Sequence, residues 1–262
     1  MSSASPSPEA AFEGVGVALV TLFTDDGDVD VAATAEHAAR LVDLGMRAVV
    51  VAGTTGEAAA LSAEERGGLL EGVRAAVPAS AAVVIAGTGA PSTRQAVGHT
   101  AAAVAGGADA VLALSPPGAR DPRSYYERVA EAAGATPVLA YHFPAVSPPG
   151  IPVSILAHLP VSGCKDSSGD PDRLLETLTT WPHPLYVGTS ALLALAGPLG
   201  CAGAILALAN AEPERCVAAF AGDPKAQLAL AEAHREALVA FPAGIKRLTA
   251  RRFGTSAVTR MG

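Results

Sequence analysis

Short apolar runs recur along this chain, each followed by an amphipathic stretch whose apolar positions return with helical spacing. The runs predict strands at 15–21, 48–53, 82–87, 109–115, 137–142, 161–165, 185–188 and 203–208. The stretches between them predict helices near 30–45, 62–77, 92–106, 122–133, 153–158, 170–180, 190–199 and 211–221. Two helix starts are written locally. Ser62 with Glu65 three residues on forms a capping box, and Asp170 before Pro171 puts proline at the first helical position, where an N–H would be unpaired anyway.

Roughly eight strand–helix units are the count of an α/β fold of the (β/α)8 TIM-barrel type; alternation alone also fits an open doubly wound sheet. The units share no sequence, which argues against a solenoid. Beyond about residue 222 no strand pattern follows: 224–241 reads as a long helix rich in Ala, Leu and Glu, and 242–253 as a shorter one. The expected organisation is a disordered tail over 1–12, a barrel over 13–222 and a helical appendage over 223–262. The uncharged stretch 185–210 is long enough to imitate a membrane span, but Gly188, Gly197, Pro198, Gly200 and Gly203 divide it into strand, helix and strand.

Composition narrows the class. The chain has 262 residues, 50% apolar and 16% charged, enough for one large core. Net charge is −7, and basic residues gather only at Lys246, Arg247, Arg251 and Arg252, so a small molecule is a better partner than nucleic acid. Arg247, Arg251 and Arg252 read as one solvated helical face, with subunit contact the alternative. Cys164, Cys201 and Cys216 sit in apolar segments without metal-type spacing, which suits buried thiols in a reducing cytoplasm. The first 12 residues lack the basic start and apolar centre of a signal peptide. Asp25-Asp26-Gly27-Asp28 has only a fragment of a calcium-loop pattern and reads as a turn before the helix near Asp30, so no metal site is expected.

The chemistry centres on Lys165, in the run Val161-Ser162-Gly163-Cys164-Lys165-Asp166. An ammonium at the end of a buried strand is expensive; burial lowers its pKa and exposes the neutral amine that attacks a carbonyl to form a Schiff base. Strand alternation turns Cys164 to the opposite side as a packing residue. In a barrel, active residues project from the carboxyl ends of strands. Two further clusters meet that requirement: Gly53-Thr54-Thr55-Gly56-Glu57 after the second strand, with hydroxyls and amides for a carboxylate, and Tyr141-His142-Phe143-Pro144 on the fifth, with a phenol able to move protons. An ordinary loop and a packing tyrosine would explain either cluster alone; the combination points to an enzyme.

Taken in order, Ala18-Leu19-Val20-Thr21, Gly53-Thr54-Thr55-Gly56-Glu57, Ala86-Gly87-Thr88-Gly89, Gly107-Ala108-Asp109-Ala110-Val111, Tyr141 with Pro144, and Gly163-Cys164-Lys165-Asp166 resemble the dihydrodipicolinate synthase and N-acetylneuraminate lyase superfamily, over about residues 14–220. The resemblance implies a class I pyruvate aldolase or lyase on a (β/α)8 barrel, without metal or organic cofactor, assembled as a dimer or tetramer of identical subunits. It makes Lys165 the Schiff-base lysine and Tyr141 the proton-shuttling phenol. Thr54 relays to Tyr141, Thr55 and the Gly53 loop hold the keto-acid carboxylate, and Gly188 and Ile205 line the pocket. Its substrates are pyruvate and an aldehyde.

Two departures decide the branch. The loop Leu114-Ser115-Pro116-Pro117-Gly118-Ala119-Arg120 has no tyrosine where the synthase branch places a relay phenol, and Tyr125 and Tyr126 fall in the next helix as packing residues. Pro144-Ala145-Val146-Ser147-Pro148-Pro149 offers no arginine for the aldehyde's carboxylate, leaving Arg120 or Arg123 to compensate. A lyase for a 2-keto-3-deoxy or 4-hydroxy-2-keto acid therefore ranks above two alternatives, the lysine-biosynthetic synthase and a keto-acid binder without turnover, the latter needing no buried amine. His142 alternates away from Tyr141 and is expected to make a supporting hydrogen bond rather than act in catalysis.

Overall fold

The computed structural model describes residues 9–261. Eight parallel strands close into a barrel in sequence order, each hydrogen-bonded to the next and β8 to β1. They are β1 (Gly14–Ala18), β2 (Ala48–Val51), β3 (Val83–Gly87), β4 (Ala110–Leu114), β5 (Val138–His142), β6 (Gly163–Asp166), β7 (Leu185–Val187) and β8 (Gly203–Leu206). Closure removes the open-sheet alternative. The helices between them are α1 (Val31–Asp43), α2 (Ala63–Ala76), α3 (Thr93–Ala105), α4 (Arg123–Ala133), α5 (Val153–Leu156), α6 (Pro171–Thr180), α7 (Leu193–Ala196) and α8 (Pro213–Phe220). Both predicted starts are present: Ser62 and Glu65 exchange the two capping-box hydrogen bonds, and Asp170 caps α6 ahead of Pro171. Asp30 caps α1, so the acidic run before it is the turn expected.

Side-chain alternation sorts the strands into two cores. Outward residues such as Val49, Val111, Ala140 and Cys164 pack under the helices, while Val50, Leu112, Leu139, Tyr141, Tyr186 and Ile205 fill the barrel. Phe12, assigned by sequence to the disordered tail, is buried instead; residues 1–8 of that tail lie outside the described residues. Its ring stacks on Tyr186 with centroids 4.7 Å apart, and the Tyr186 hydroxyl donates to the Phe12 carbonyl at 3.0 Å. Gly16 makes room for it, since a Cβ there would lie 3.1 Å from the Phe12 ring. The barrel's amino end is thus plugged, leaving the carboxyl end open.

The helix expected over 224–241 forms in two pieces, α9 (Pro224–Ala229) and α10 (Ala231–Leu238). They meet at Leu230, whose side chain is buried and whose amide is shared between the Ala226 and Gln227 carbonyls. After α11 (Ala243–Phe253), Gly254 turns the chain with φ of 70° and it runs back toward the barrel. Arg247, Arg251 and Arg252 are exposed, the last two paired with Glu236 and Glu214 of neighbouring helices. Lys246 is not part of that face; it is buried against Glu57. No helix among the described residues is long and apolar enough to cross a membrane.

Candidate active site at the carboxyl rim of the barrel

Strand register brings the candidate residues together. Tyr141 of β5 pairs with Lys165 of β6, and Lys165 with Tyr186 of β7, so phenol and amine share one inward-facing layer. Lys165 Nζ lies 4.3 Å from the centre of the Tyr141 ring. The lysine is 4% exposed, and among the described residues no carboxylate lies within ion-pair distance of it. Burial alone pushes its amine down to about 7. Tyr141 moves the other way: burial raises its hydroxyl to about 12, opposed by hydrogen bonds from the Ser167 and Thr54 hydroxyls. At neutral pH the phenol keeps its proton, while the amine gives up its own far more readily than an exposed lysine does.

A cavity of about 540 Å³ opens over this pair, within the range of small-molecule sites. Lys165, Tyr141, Thr54 and Gly53 line it. Thr55 is buried beside them in the same loop, and Ile205 lies wholly inside the barrel-filling cluster beneath, away from the cavity wall. Gly188 follows β7 directly, and its lack of a side chain is required: a Cβ would sit 1.8 Å from Ser167 Oγ and 3.1 Å from Lys165 Cε. The loop after β2 is held between two left-handed non-glycine residues, Ala52 (φ 50°) and Glu57 (φ 56°), a conformation that costs free energy and persists only where surroundings enforce it.

Residues facing away from the cavity brace these groups. Asp166, at the end of β6, accepts from Arg173 Nε at 2.5 Å and from the amide and hydroxyl of Ser168 at 2.8 and 2.6 Å. His142 points outward, and its Nδ1 accepts the Ile151 amide at 2.8 Å; burial pushes it down to about 4, so it is neutral at pH 7. Cys164 packs in the outer core.

Over most of its length the sequence matches a known pattern. A profile of the dihydrodipicolinate synthetase family matches residues 11–255. The chain belongs to that family. Among its relatives, an uncharacterized DapA-like lyase of Halobacterium salinarum is 33% identical over 260 residues, covering 94% of this chain and 85% of that one. A probable mitochondrial 4-hydroxy-2-oxoglutarate aldolase of Emericella nidulans is 37% identical over 227 residues, covering 78% and 71%. The crystal structure of a dihydrodipicolinate synthase from Acinetobacter baumannii, solved with pyruvate, superposes with a TM-score of 0.84 at 26% identity over 96% of this chain and 95% of that one. The protein is a lyase of the dihydrodipicolinate synthetase family.

Within that family frame the altered loops take definite form. Tyr125 and Tyr126 are buried on α4, their hydroxyls donating to the Leu114 and Ala113 carbonyls at 3.0 and 2.9 Å, and neither lines the cavity. The loops after β4 and β5 are tied together by Ser147 Oγ on the Ser115 carbonyl at 2.5 Å. Val146 lines the cavity from the second of these loops. Arg123 is exposed and engaged with Asp121, and Arg120 is exposed outside the cavity.

The cavity instead has polar groups that sequence reading missed: Arg66 from α2, and Gln95 and His99 from α3. Arg66 donates to the Gly87 carbonyl at 3.1 Å and to the Ala58 carbonyl. Nothing local marks these residues, because which helical positions reach over the rim depends on how helices pack outside the barrel. Ser167 was missed too, although a signal existed: residues 163, 165 and 167 alternate onto one face.

Proposed function

We propose that this protein is a Schiff-base aldolase that cleaves or forms a 2-keto-3-deoxy or 4-hydroxy-2-keto acid, with pyruvate as the keto-acid partner. The observation that carries the reading is Lys165: a buried amine without an ionic partner among the described residues, lowered to about 7 and lining a cavity beside a protonated phenol. A lysine kept only for packing gains nothing from such a position, whereas a nucleophile needs it.

In the cleavage direction the neutral Lys165 amine adds to the C2 carbonyl. Tyr141 gives its proton to the departing hydroxyl, so water leaves and a protonated imine faces a phenolate. The phenolate then takes the C4 hydroxyl proton, the C3–C4 bond breaks, and its electron pair flows into the imine to give a neutral enamine and a free aldehyde. Tyr141 returns its proton at C3, and water releases pyruvate and the amine. Thr54 relays protons to Tyr141, and Thr55 with its main-chain amide receives the keto-acid carboxylate. Support for the lyase over the lysine-biosynthetic synthase comes from the loops after β4 and β5, which bring neither a tyrosine nor an arginine to the cavity.

Incubation with pyruvate and borohydride followed by peptide mass spectrometry tests the reading. The expected result is a reduced three-carbon adduct on Lys165; an unmodified Lys165 would refute it.

A further inference from the structure

The loop that carries Thr54 and Thr55 ends at Glu57, which is fully buried and holds a left-handed φ of 56°. Its carboxylate is occupied from outside the barrel. One oxygen meets Lys246 Nζ at 2.5 Å, and the other accepts the main-chain amides of Arg260 and Met261, both at 2.8 Å. Lys246 also donates to the Val258 carbonyl at 2.7 Å. The Arg260 guanidinium binds the Gly27 carbonyl at 2.7 Å, the Ala60 carbonyl at 3.0 Å and the Glu65 carboxylate at 2.7 Å, and lies over the Phe23 ring. Residues 256–261 thus cross the rim as a strap, fastened to the loop that holds two candidate site hydroxyls.

The strap contributes to the cavity wall. Met261 lines the same space as Thr54 and Lys165, and at 54% exposure it stands at the mouth. A three-carbon keto acid bonded to Lys165 fills only a small part of about 540 Å³. The remaining space is what a partner aldehyde occupies, and a thioether there is bulky, apolar and adaptable.

We propose that the strap selects the aldehyde: Met261 forms the outer wall against which the substituent on the aldehyde carbon packs, and Arg260 is the positioning residue that holds this wall on the Glu57 loop. The inference rests on the pyruvate-imine reading above. Arg260 is far in sequence from every motif of the site, and the strap reaches the catalytic loop only through tertiary contacts.

The test uses the full chain carrying Met261→Ala, Met261→Trp or Arg260→Ala, each checked for an unchanged circular dichroism spectrum. Condensation with pyruvate is measured for glyoxylate, glyceraldehyde and benzaldehyde, in order of increasing bulk. Met261→Ala is expected to lower the benzaldehyde KM relative to the glyoxylate KM by about fivefold or more. Met261→Trp shifts that ratio in the opposite direction, and Arg260→Ala moves it toward the Met261→Ala value. In all three the shift falls on the aldehyde KM several-fold more than on the pyruvate KM. An unchanged aldehyde ranking in both Met261 variants, with the borohydride adduct still forming, overturns the strap inference alone. Absence of the adduct in the unaltered protein overturns the proposed function and the strap inference together.

Discussion

Lys165 and Lys246 are both buried, and each amine lies over an aromatic ring, Tyr141 at 4.3 Å and Phe23 at 4.0 Å. They differ in what meets the charge. Burial lowers Lys246, but the Glu57 carboxylate opposes it, and the Val258 carbonyl accepts a further hydrogen bond. At Lys165 no group among the described residues opposes burial. Interior lysines therefore have two fates: one is held as an ammonium by a partner and ties a strap to a loop, while the other is left as an amine that can react. Hydropathy treats them alike; their partners separate them.

The sharpest way to break this contrast is to replace each lysine by methionine, which keeps the stem's bulk and removes the amine. Lys165→Met is expected to abolish the borohydride adduct and to lower aldol turnover on the order of 10⁵-fold or more, the scale of removing a nucleophile. Its unfolding free energy in urea should be unchanged or higher, because a buried amine without a partner is lost. A clear loss of stability would show that Lys165 has a structural role after all.

Lys246→Met should do the opposite. It leaves Glu57 buried with one oxygen unpaired, so urea denaturation should show a loss of about 3–5 kcal/mol. Pyruvate should still be trapped on Lys165 in the fraction that remains folded. Equal stability of this variant and the unaltered protein would remove the distinction drawn here.

The smallest effect lies in pH. Because the Lys165 amine is lowered to about 7, the rate of pyruvate imine formation should rise roughly tenfold per unit below that pH and level off above it. The linkage has a definite sign. Between about 7 and the ordinary lysine value the unfolded chain binds a proton that the native Lys165 does not, so this group makes stability rise with pH across that window. Below about 7 its penalty is fully present. Lys165→Met should remove about one proton from the slope in that window, which urea denaturation at several pH values reads directly.

Much of the fold is legible in the sequence, since alternation and helix signals are local. The eight strands fall within two or three residues of their expected bounds at most ends, and the Ser62 and Asp170 caps form as written. Lys165, Tyr141 and the Gly53 loop, singled out by their places at strand ends, line one cavity for the same reason: register and alternation carry a side chain's direction along the chain. Local pattern was weaker where packing sets the boundary. Phe12 looked like tail because nothing around it is periodic, yet it plugs the barrel; the helix after Pro224 broke where Leu230 turns into the core.

By itself, then, the sequence determined the barrel, the inward lysine and the phenol beside it, because each depends on neighbours a few residues away. Only the tertiary structure decided that Lys246 is paired, that Arg66 and His99 reach the cavity, and that Met261 closes part of its wall. Those facts are contacts between residues as much as 204 positions apart, such as the Met261 amide on Glu57, and no local periodicity encodes a distance of that kind.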